Sequence, residues 1–345
     1  MREIRITEQT AGGRLDKLIF RYLDQSSAGF VYKMLRKKNI VLNDKKAAGS
    51  EILSEGDVVK LYLSEETIQT FRSGKHPDPA RQKDPDGSPS ATEDLSWFTS
   101  LILYEDENLI LLNKPAGLLS QKSSPKDRCV NDGLISYLGI TDLFTPGISN
   151  RLDRNTSGLM AAGKNPAAVR ELNRAIRERD LSKYYLCVVD GSLMTDRSEE
   201  AYICKDSSGN QSRVFRTKQP GAAYIRTDYQ VLDQSGSLTC LKVDLITGKS
   251  HQIRAHLAFL GHPVIGDPKY QDPSGNQAYW RKYRIRRQLL HAYQLRFEKM
   301  QGVLAYLNGR IFTAPLPEDF RVIMKGEGLC LPGDPEDSED HSLNV

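Results

Sequence analysis

The chain is short of the features that mark extracellular, membrane-spanning and metal-held proteins. Only five of its 345 residues are cysteine. Cys129, Cys187, Cys204, Cys240 and Cys330 include no C-x-x-C pair, so neither a disulfide framework nor a thiolate zinc site is expected. No apolar run approaches the ~18 residues that cross a bilayer, and the start, MREIRITEQT, lacks the apolar stretch of a secretory signal. A soluble, cytoplasmic protein is the expectation. Charge of one sign is also missing: 48 lysines and arginines face 44 acids for a net charge of +4. With 39% apolar content, that balance excludes disorder along the whole chain. At roughly 100 to 200 residues per domain, two or three domains fit.

What asymmetry of charge exists lies in its distribution. Residues 331–345, LPGDPEDSEDHSLNV, form an acidic C-terminal tail with five acids and no lysine or arginine. The rest of the chain is correspondingly more basic, which suits a polyanionic partner. The tail is taken to run from residue 326 to 345.

Residues 1–63 read as a small helix-and-strand module. Leu15, Leu18, Ile19, Tyr22 and Leu23 recur at helical spacing, with Arg14, Lys17 and Arg21 on a neighbouring stripe. A second helix should start at Ser27, burying Val31, Met34 and Leu35 and leaving Lys33, Arg36, Lys37 and Lys38 outside. Strands follow at residues 40–42 and 58–63. GGRLDKLI, SSAGFVYKMLRKKNIVLN and SEGDVVKLYL resemble the S4 RNA-binding domain. That resemblance implies RNA contacts from Arg14, Lys17, Lys33, Arg36 and Lys37. Residues 64–95 include HPDPARQKDPDGSPSATED, whose prolines and polar residues predict a flexible linker. A second domain is expected over residues 96–325.

In that domain two short strands should end at Lys114, placing it at the mouth of a hairpin. Asn150-Arg151-Leu152-Asp153-Arg154-Asn155-Thr156-Ser157-Gly158 sets one carboxylate between two guanidiniums ahead of a strand at residues 159–162. Asn165 and Pro166 then open a helix whose Arg170, Arg174 and Arg177 form a basic stripe. Alternation along KYYLCVV puts Lys183, Tyr185, Cys187 and Val189 on one side of a strand. In LITGKSHQIRAHLAFLGHP, Ser250 is the expected cap of a helix with an Ile253, Leu257 and Leu260 seam. His251 and His256 fall about 140° apart at the helical turn angle, which excludes a shared zinc. Arg254 is available for a carboxylate or phosphate. The run RKYRIRR, residues 281–287, interleaves basic and aromatic residues, as nucleic-acid surfaces do.

The order NKPAGL, RLDRNTSGL, KYYLCVV, LITGKSHQIRAHLAFLGHPVIGDPKY, LLHAYQL resembles the RluA-type pseudouridine synthases, in particular the large-subunit ribosomal RNA subgroup that carries an S4-like module. The resemblance implies an α+β fold with a mixed, mostly antiparallel sheet flanked by helices. It implies isomerisation of specific uridines in RNA, with 23S ribosomal RNA as the favoured target, without cofactor or metal; a monomer that acts away from membranes is the further expectation. Asp153 would be the catalytic aspartate, Tyr185 the ring that stacks on the base, Arg254 the partner of Asp153, Arg151 an RNA contact and Leu290 the packing beneath the base. Many relatives carry His where this chain has Asn150, a departure that bears on which RNA is chosen. A transfer-RNA synthase and a non-catalytic ribosome assembly factor are the competing readings.

Overall fold

Two hydrogen-bonded sheets organise the computed structural model, which describes residues 1–8, 10–72, 95–140, 144–206, 211–330 and 332. The first sheet is built from β1 (Arg2–Arg5), β2 (Ile40–Leu42), β3 (Lys45–Lys46) and β4 (Val58–Leu61) in the order β1-β4-β2-β3. Helices α1 (Leu15–Tyr22) and α2 (Ala28–Arg36) close over it. Leu15, Ile19, Val31 and Leu35 meet Ile40, Val59 and Leu61 in one apolar core, as the helical spacing predicts. Ser27 caps α2 by accepting the Phe30 N–H at 3.2 Å, a contribution of ~1 kcal/mol.

This unit is longer than the sequence suggests. Residues 64–72, expected as linker, hold helix α3 (Glu65–Thr70), capped by Ser64. Ile68 is buried in the same core, and the Phe71 ring lies 4.3 Å from that of Phe30. Two apolar side chains in a polar context were enough to seat the segment. The remainder of the expected linker, apart from Leu95, lies outside the described residues, as does most of the acidic tail. The tail's first residues are folded: Leu329 is buried and the Cys330 N–H donates to Asp233.

The second sheet follows α4 (Ser96–Thr99). Its strands are β5 (Ile102–Glu105), β6 (Leu109–Lys114), β7 (Gly147–Ile148), β8 (Ser157–Gly163), β9 (Leu181–Asp190), β10 (Arg197–Asp206), β11 (Gln211–Phe215), β12 (Ala223–Ser235), β13 (Leu238–Asp244), β14 (Leu290–Phe297) and β15 (Ile311–Thr313). The main path is β11-β10-β12-β13-β9-β14-β8-β6-β5, antiparallel except where β14 runs parallel to β8. Helices α5 (Val130–Leu138) and α7 (Gln252–Phe259) lie on one face, whereas α6 (Pro166–Glu178) and α9 (Glu318–Glu327) lie on the other; α8 (Pro273–Tyr283) packs beside α9. The protein is therefore α+β, with a mostly antiparallel sheet between helices. Among the described residues no helix is long and apolar enough to cross a membrane.

Strand β9 shows how the sheet places chemistry. Tyr185, Cys187 and Val189 enter the core under α5 and α7, while Leu186 and Val188 enter the core under α9. Strict alternation on a strand buried on both sides thus aims Tyr185 at the first face. Tyr185 sits opposite Val243 of β13 and Ala292 of β14. The parallel contact beside it depends on Gly158 (φ +112°), where a Cβ would overlap the backbone of Ala292. We therefore expect Gly158→Ala to cost about 3 kcal/mol or more, from a disfavoured backbone region and a backbone collision together. Urea unfolding checks this, and an unchanged midpoint would contradict it.

Candidate active site

The side chain of Arg254 joins the two carboxylates at the centre of the site. Its Nε and Nη2 donate to Asp267 at 2.6 and 2.8 Å, and its Nη1 donates to Asp153 Oδ2 at 2.7 Å. The Arg254 side chain is 4% exposed and that of Asp267 0%, whereas Asp153 is 27% exposed. The bidentate half of this triad is thus interior, and the single-bonded carboxylate faces outward. Burial alone would lower the pKa of Arg254, but the hydrogen bonds and charges of Asp267 and Asp153 outweigh it and raise it. The guanidinium is a fixed cation.

Asp153 lies on the loop between β7 and β8, and that loop is held at several points by residues 114–120. Gly117 N–H donates to the Arg154 carbonyl at 2.9 Å, and Arg154 Nε returns a bond to the Gly117 carbonyl at 3.0 Å. Ser120 Oγ donates to the Leu152 carbonyl at 2.8 Å and accepts the Leu152 N–H at 3.0 Å. Asn150 continues the clamp: its Oδ1 accepts the Ala161 N–H at 2.7 Å and its Nδ2 donates to the Leu159 carbonyl at 3.3 Å. In this chain Asn150 therefore pairs with β8 as a peptide group would.

Lys114, expected at the mouth of its hairpin, is instead fully buried beneath this loop. Its ammonium donates to the carbonyls of Pro115, Leu118 and Arg154 at 2.9 to 3.0 Å. Burial, reinforced by the charge of Arg287, pushes its pKa down to about 7 against the pull of Asp153. A short hairpin left three carbonyls turned inward, and the lysine satisfies them.

A cavity of about 760 Å³ opens over Asp153. Asp153, Tyr185, Arg254, Arg151 and Leu290 all line it. Tyr185 is buried, which pushes its hydroxyl pKa up, and Leu290 is buried beside it in the same core. Arg151 is exposed, with Nη1 reaching Gln121 at 3.4 Å. Lys122, Arg151, Lys183, Lys205, Lys249 and Arg254 bring positive charge to the lining, and among the described residues Asp153 is its only acid. Burial pushes Lys183 down despite Asp244. Such a cavity favours an anionic polymer with an uncharged group to insert.

The five expected RNA contacts of the first unit do not line the cavity. Lys17, Lys33, Arg36 and Lys37 are exposed there, whereas Arg14 is committed to Asp16 through bonds of 2.7 and 3.1 Å. The α6 stripe is likewise occupied: Arg174 bonds Glu171, Glu178 and Asp180 at 2.6 to 2.8 Å. In residues 281–287, Arg287 pairs with Asp319 and Lys282 with Glu327, while Arg284 and Arg286 stack on Trp280. Helix α7 starts after His251, not Ser250. His251 is its N-cap in the left-handed region (φ +55°), and no side chain caps it.

Sequence reasoning missed Asp267, because thirteen residues and a turn separate it from Arg254. It also missed the Tyr270 hydroxyl, which accepts the Ser212 N–H at 2.7 Å and lies 2.9 Å from His251 Nδ1. Both lie in the quoted run GHPVIGDPKY, where nothing in the spacing says which side chain turns inward.

The geometry agrees with what the chain is similar to. Residues 108–259 match the RNA pseudouridylate synthase family. A ribosomal large subunit pseudouridine synthase C of Vibrio vulnificus is 28% identical over 294 residues, 85% of this chain and 87% of that protein. A ribosomal large subunit pseudouridine synthase D of Nitrosomonas europaea is 28% identical over 330 residues, 94% and 87% of the two chains. Among solved structures, human RNA pseudouridylate synthase domain containing 4 shares the fold, with a TM-score of 0.56 at 23% identity over 69% of this chain and 97% of that one. With the motifs in order on that fold and these relatives matched over 87% of their lengths, the chain is an RNA pseudouridine synthase similar to the ribosomal large subunit pseudouridine synthases C and D.

Proposed function

We propose that the chain converts specific uridines of large-subunit ribosomal RNA to pseudouridine, with Asp153 as the catalytic carboxylate. The observation that carries this reading is a carboxylate tied by one oxygen to a buried guanidinium, at the floor of a cationic cavity that also holds an aromatic ring. The target RNA follows the names of the relatives, ribosomal large subunit pseudouridine synthases C and D. Five cysteines that form no disulfide among the described residues fit the reducing, cytoplasmic setting of this reading.

In this reading a uridine leaves its stack, which costs a few kcal/mol, and stacking on the Tyr185 ring offsets ~1 to 3 kcal/mol of it. Leu290 packs beneath the base and Arg151 holds the strand. The C1′–N1 bond breaks, the base turns, and C5 bonds to C1′; N1 gains a proton and C5 loses one. Asp153 either adds to C1′ or removes the C2′ proton. Both routes need its carboxylate fixed beside the sugar, and Arg254, held by Asp267, provides that.

The unit spanning residues 1–72 acts as an S4-like RNA-binding domain, and residues 96–325 carry the chemistry. Lys17, Lys33, Arg36 and Lys37 are exposed on the first unit and make no ion pair among the described residues, so in this reading they supply its phosphate contacts.

Three outcomes test these assignments. Asp153→Asn keeps the hydrogen bond site but loses the charge, so it should lower kcat by at least ~10³-fold with RNA affinity retained. Turnover near wild type would contradict the role of Asp153. Asp267→Asn should lower kcat about 100-fold by releasing Arg254, and it should also cost ~3 to 5 kcal/mol of stability because it breaks an interior ion pair. Stability measured beside kinetics separates the two carboxylates. Replacing Lys17, Lys33, Arg36 and Lys37 by glutamine should weaken binding and reduce the slope of log K against log salt by about 2 to 4. An unaltered slope would remove the first unit from the RNA interface.

A further inference from the structure

His251 stands apart from the rest of the cavity wall. It is a non-glycine residue held in the left-handed region, its ring is only 13% exposed, and its Nε2 faces Asp153 Oδ2 across 3.9 Å. A strained backbone at a cavity wall invites a functional explanation. The gap is too long for a hydrogen bond, and it is wide enough for one oxygen atom placed within bonding distance of both groups, with an angle of roughly 90° at that oxygen.

The hydrogen-bond chain behind the ring favours one position for its proton. Tyr270 Oη accepts the Ser212 N–H at 2.7 Å and lies 2.9 Å from His251 Nδ1. The phenol has one proton to give, and His251 Nδ1 lies within reach of it. Nδ1 therefore accepts, and the ring proton sits on Nε2, facing the cavity. Burial holds the imidazole below its usual pKa, so the neutral tautomer is the relevant form. On the opposite side of the gap, Asp153 offers only acceptors.

An atom seated between an N–H donor and a carboxylate acceptor must accept a hydrogen bond and donate one. Within an RNA chain the 3′ and 5′ oxygens of each ribose are esterified and carry no proton, the uracil oxygens only accept, and uracil N3–H only donates. The 2′-hydroxyl alone does both. We propose that His251 Nε2–H and Asp153 Oδ2 together seat the 2′-hydroxyl of the extruded uridine, which rests on the assignment of Asp153 as the carboxylate beside the sugar. Oδ2 is then bonded to Arg254 and to the hydroxyl, and Oδ1, which accepts no hydrogen bond among the described residues, is left toward C1′ or C2′. His251 becomes a positioning and specificity residue: it reads ribose at the target position and sets the rotation of the sugar against the carboxylate. Its ring is held by Tyr270, and the left-handed backbone turns it out of the helix end and into the cavity.

The test crosses one substrate atom with one side chain. RNA fragments that carry the modified uridine are prepared with ribose or 2′-deoxyribose at that position alone. Wild type, His251→Phe and His251→Gln are compared in kcat/KM, with competitive inhibition constants used where turnover is too slow to follow. Wild type should favour ribose on the order of 100-fold, because the deoxy substrate leaves two polar groups unpaired in the cavity. His251→Phe keeps the ring without the donor; its preference should fall about tenfold, mainly through slower turnover of the ribose substrate. His251→Gln, which can return an N–H to the same place, should recover part of the preference. An undiminished ribose preference in His251→Phe, no preference in wild type, or loss of the folding transition in both variants would overturn the assignment. Wild type that forms no pseudouridine in any RNA, or Asp153→Asn that still does, would instead overturn the reading of Asp153 on which it rests.

Discussion

The site depends on one guanidinium divided unequally between two carboxylates. Arg254 gives two bonds to interior Asp267 and one to Asp153, which faces the cavity. The two-bond side anchors a long side chain that would otherwise retain considerable rotamer freedom. The one-bond side then presents a carboxylate that is bonded at one oxygen and open at the other. An isolated carboxylate in so closed a place would shed its charge, and an isolated arginine would collapse onto whatever acid it met. Each of the three groups removes the cost of burying its neighbour.

That triad is framed on both sides by hydrogen-bonded backbone. The loop that carries Asp153 is bonded on its near side to residues 114–120, underpinned by the Lys114 ammonium, and tied to β8 through Asn150. On the far side, β9 places Tyr185 by alternation, and Gly158 lets β8 and β14 approach closely enough for the parallel contact beside it. The cavity is therefore built from strand and strand-adjacent backbone, which holds reacting groups more tightly than long mobile loops do. Cationic side chains at the rim then act at longer range, where direction matters less than sign.

Much of this was legible in the sequence because local rules decide it. Ser27 and Asn165 cap the helices they were expected to cap, with Phe30 and Ala168 as donors, and the alternation of KYYLCVV set the face of Tyr185 correctly. What failed did so where tertiary partners outvoted local signals. Helix α7 starts at Gln252 with His251, not Ser250, as its N-cap, and the Ser250 carbonyl accepts a bond from Ser212 Oγ. The α6 stripe looked basic in one dimension, but Glu171, Glu178 and Asp180 are brought onto Arg174 by the helix turn and the following strand. Residues 65–70 looked like linker because a short helix with one buried isoleucine has no periodicity to detect. Asp267 was invisible for a different reason: a contact across thirteen residues and a turn leaves no repeat in the sequence.

The most direct measurement is the structure of the Asp153→Asn protein bound to a ribosomal RNA fragment that contains its target. The target nucleotide should be out of its stack, with the base against the Tyr185 ring, the side chain of residue 153 in van der Waals contact with the sugar, and Arg254 still bonded to both residue 153 and Asp267. An RNA held only along the protein surface, with every base stacked and the cavity over residue 153 untouched, would contradict the assignment of that carboxylate to the chemistry.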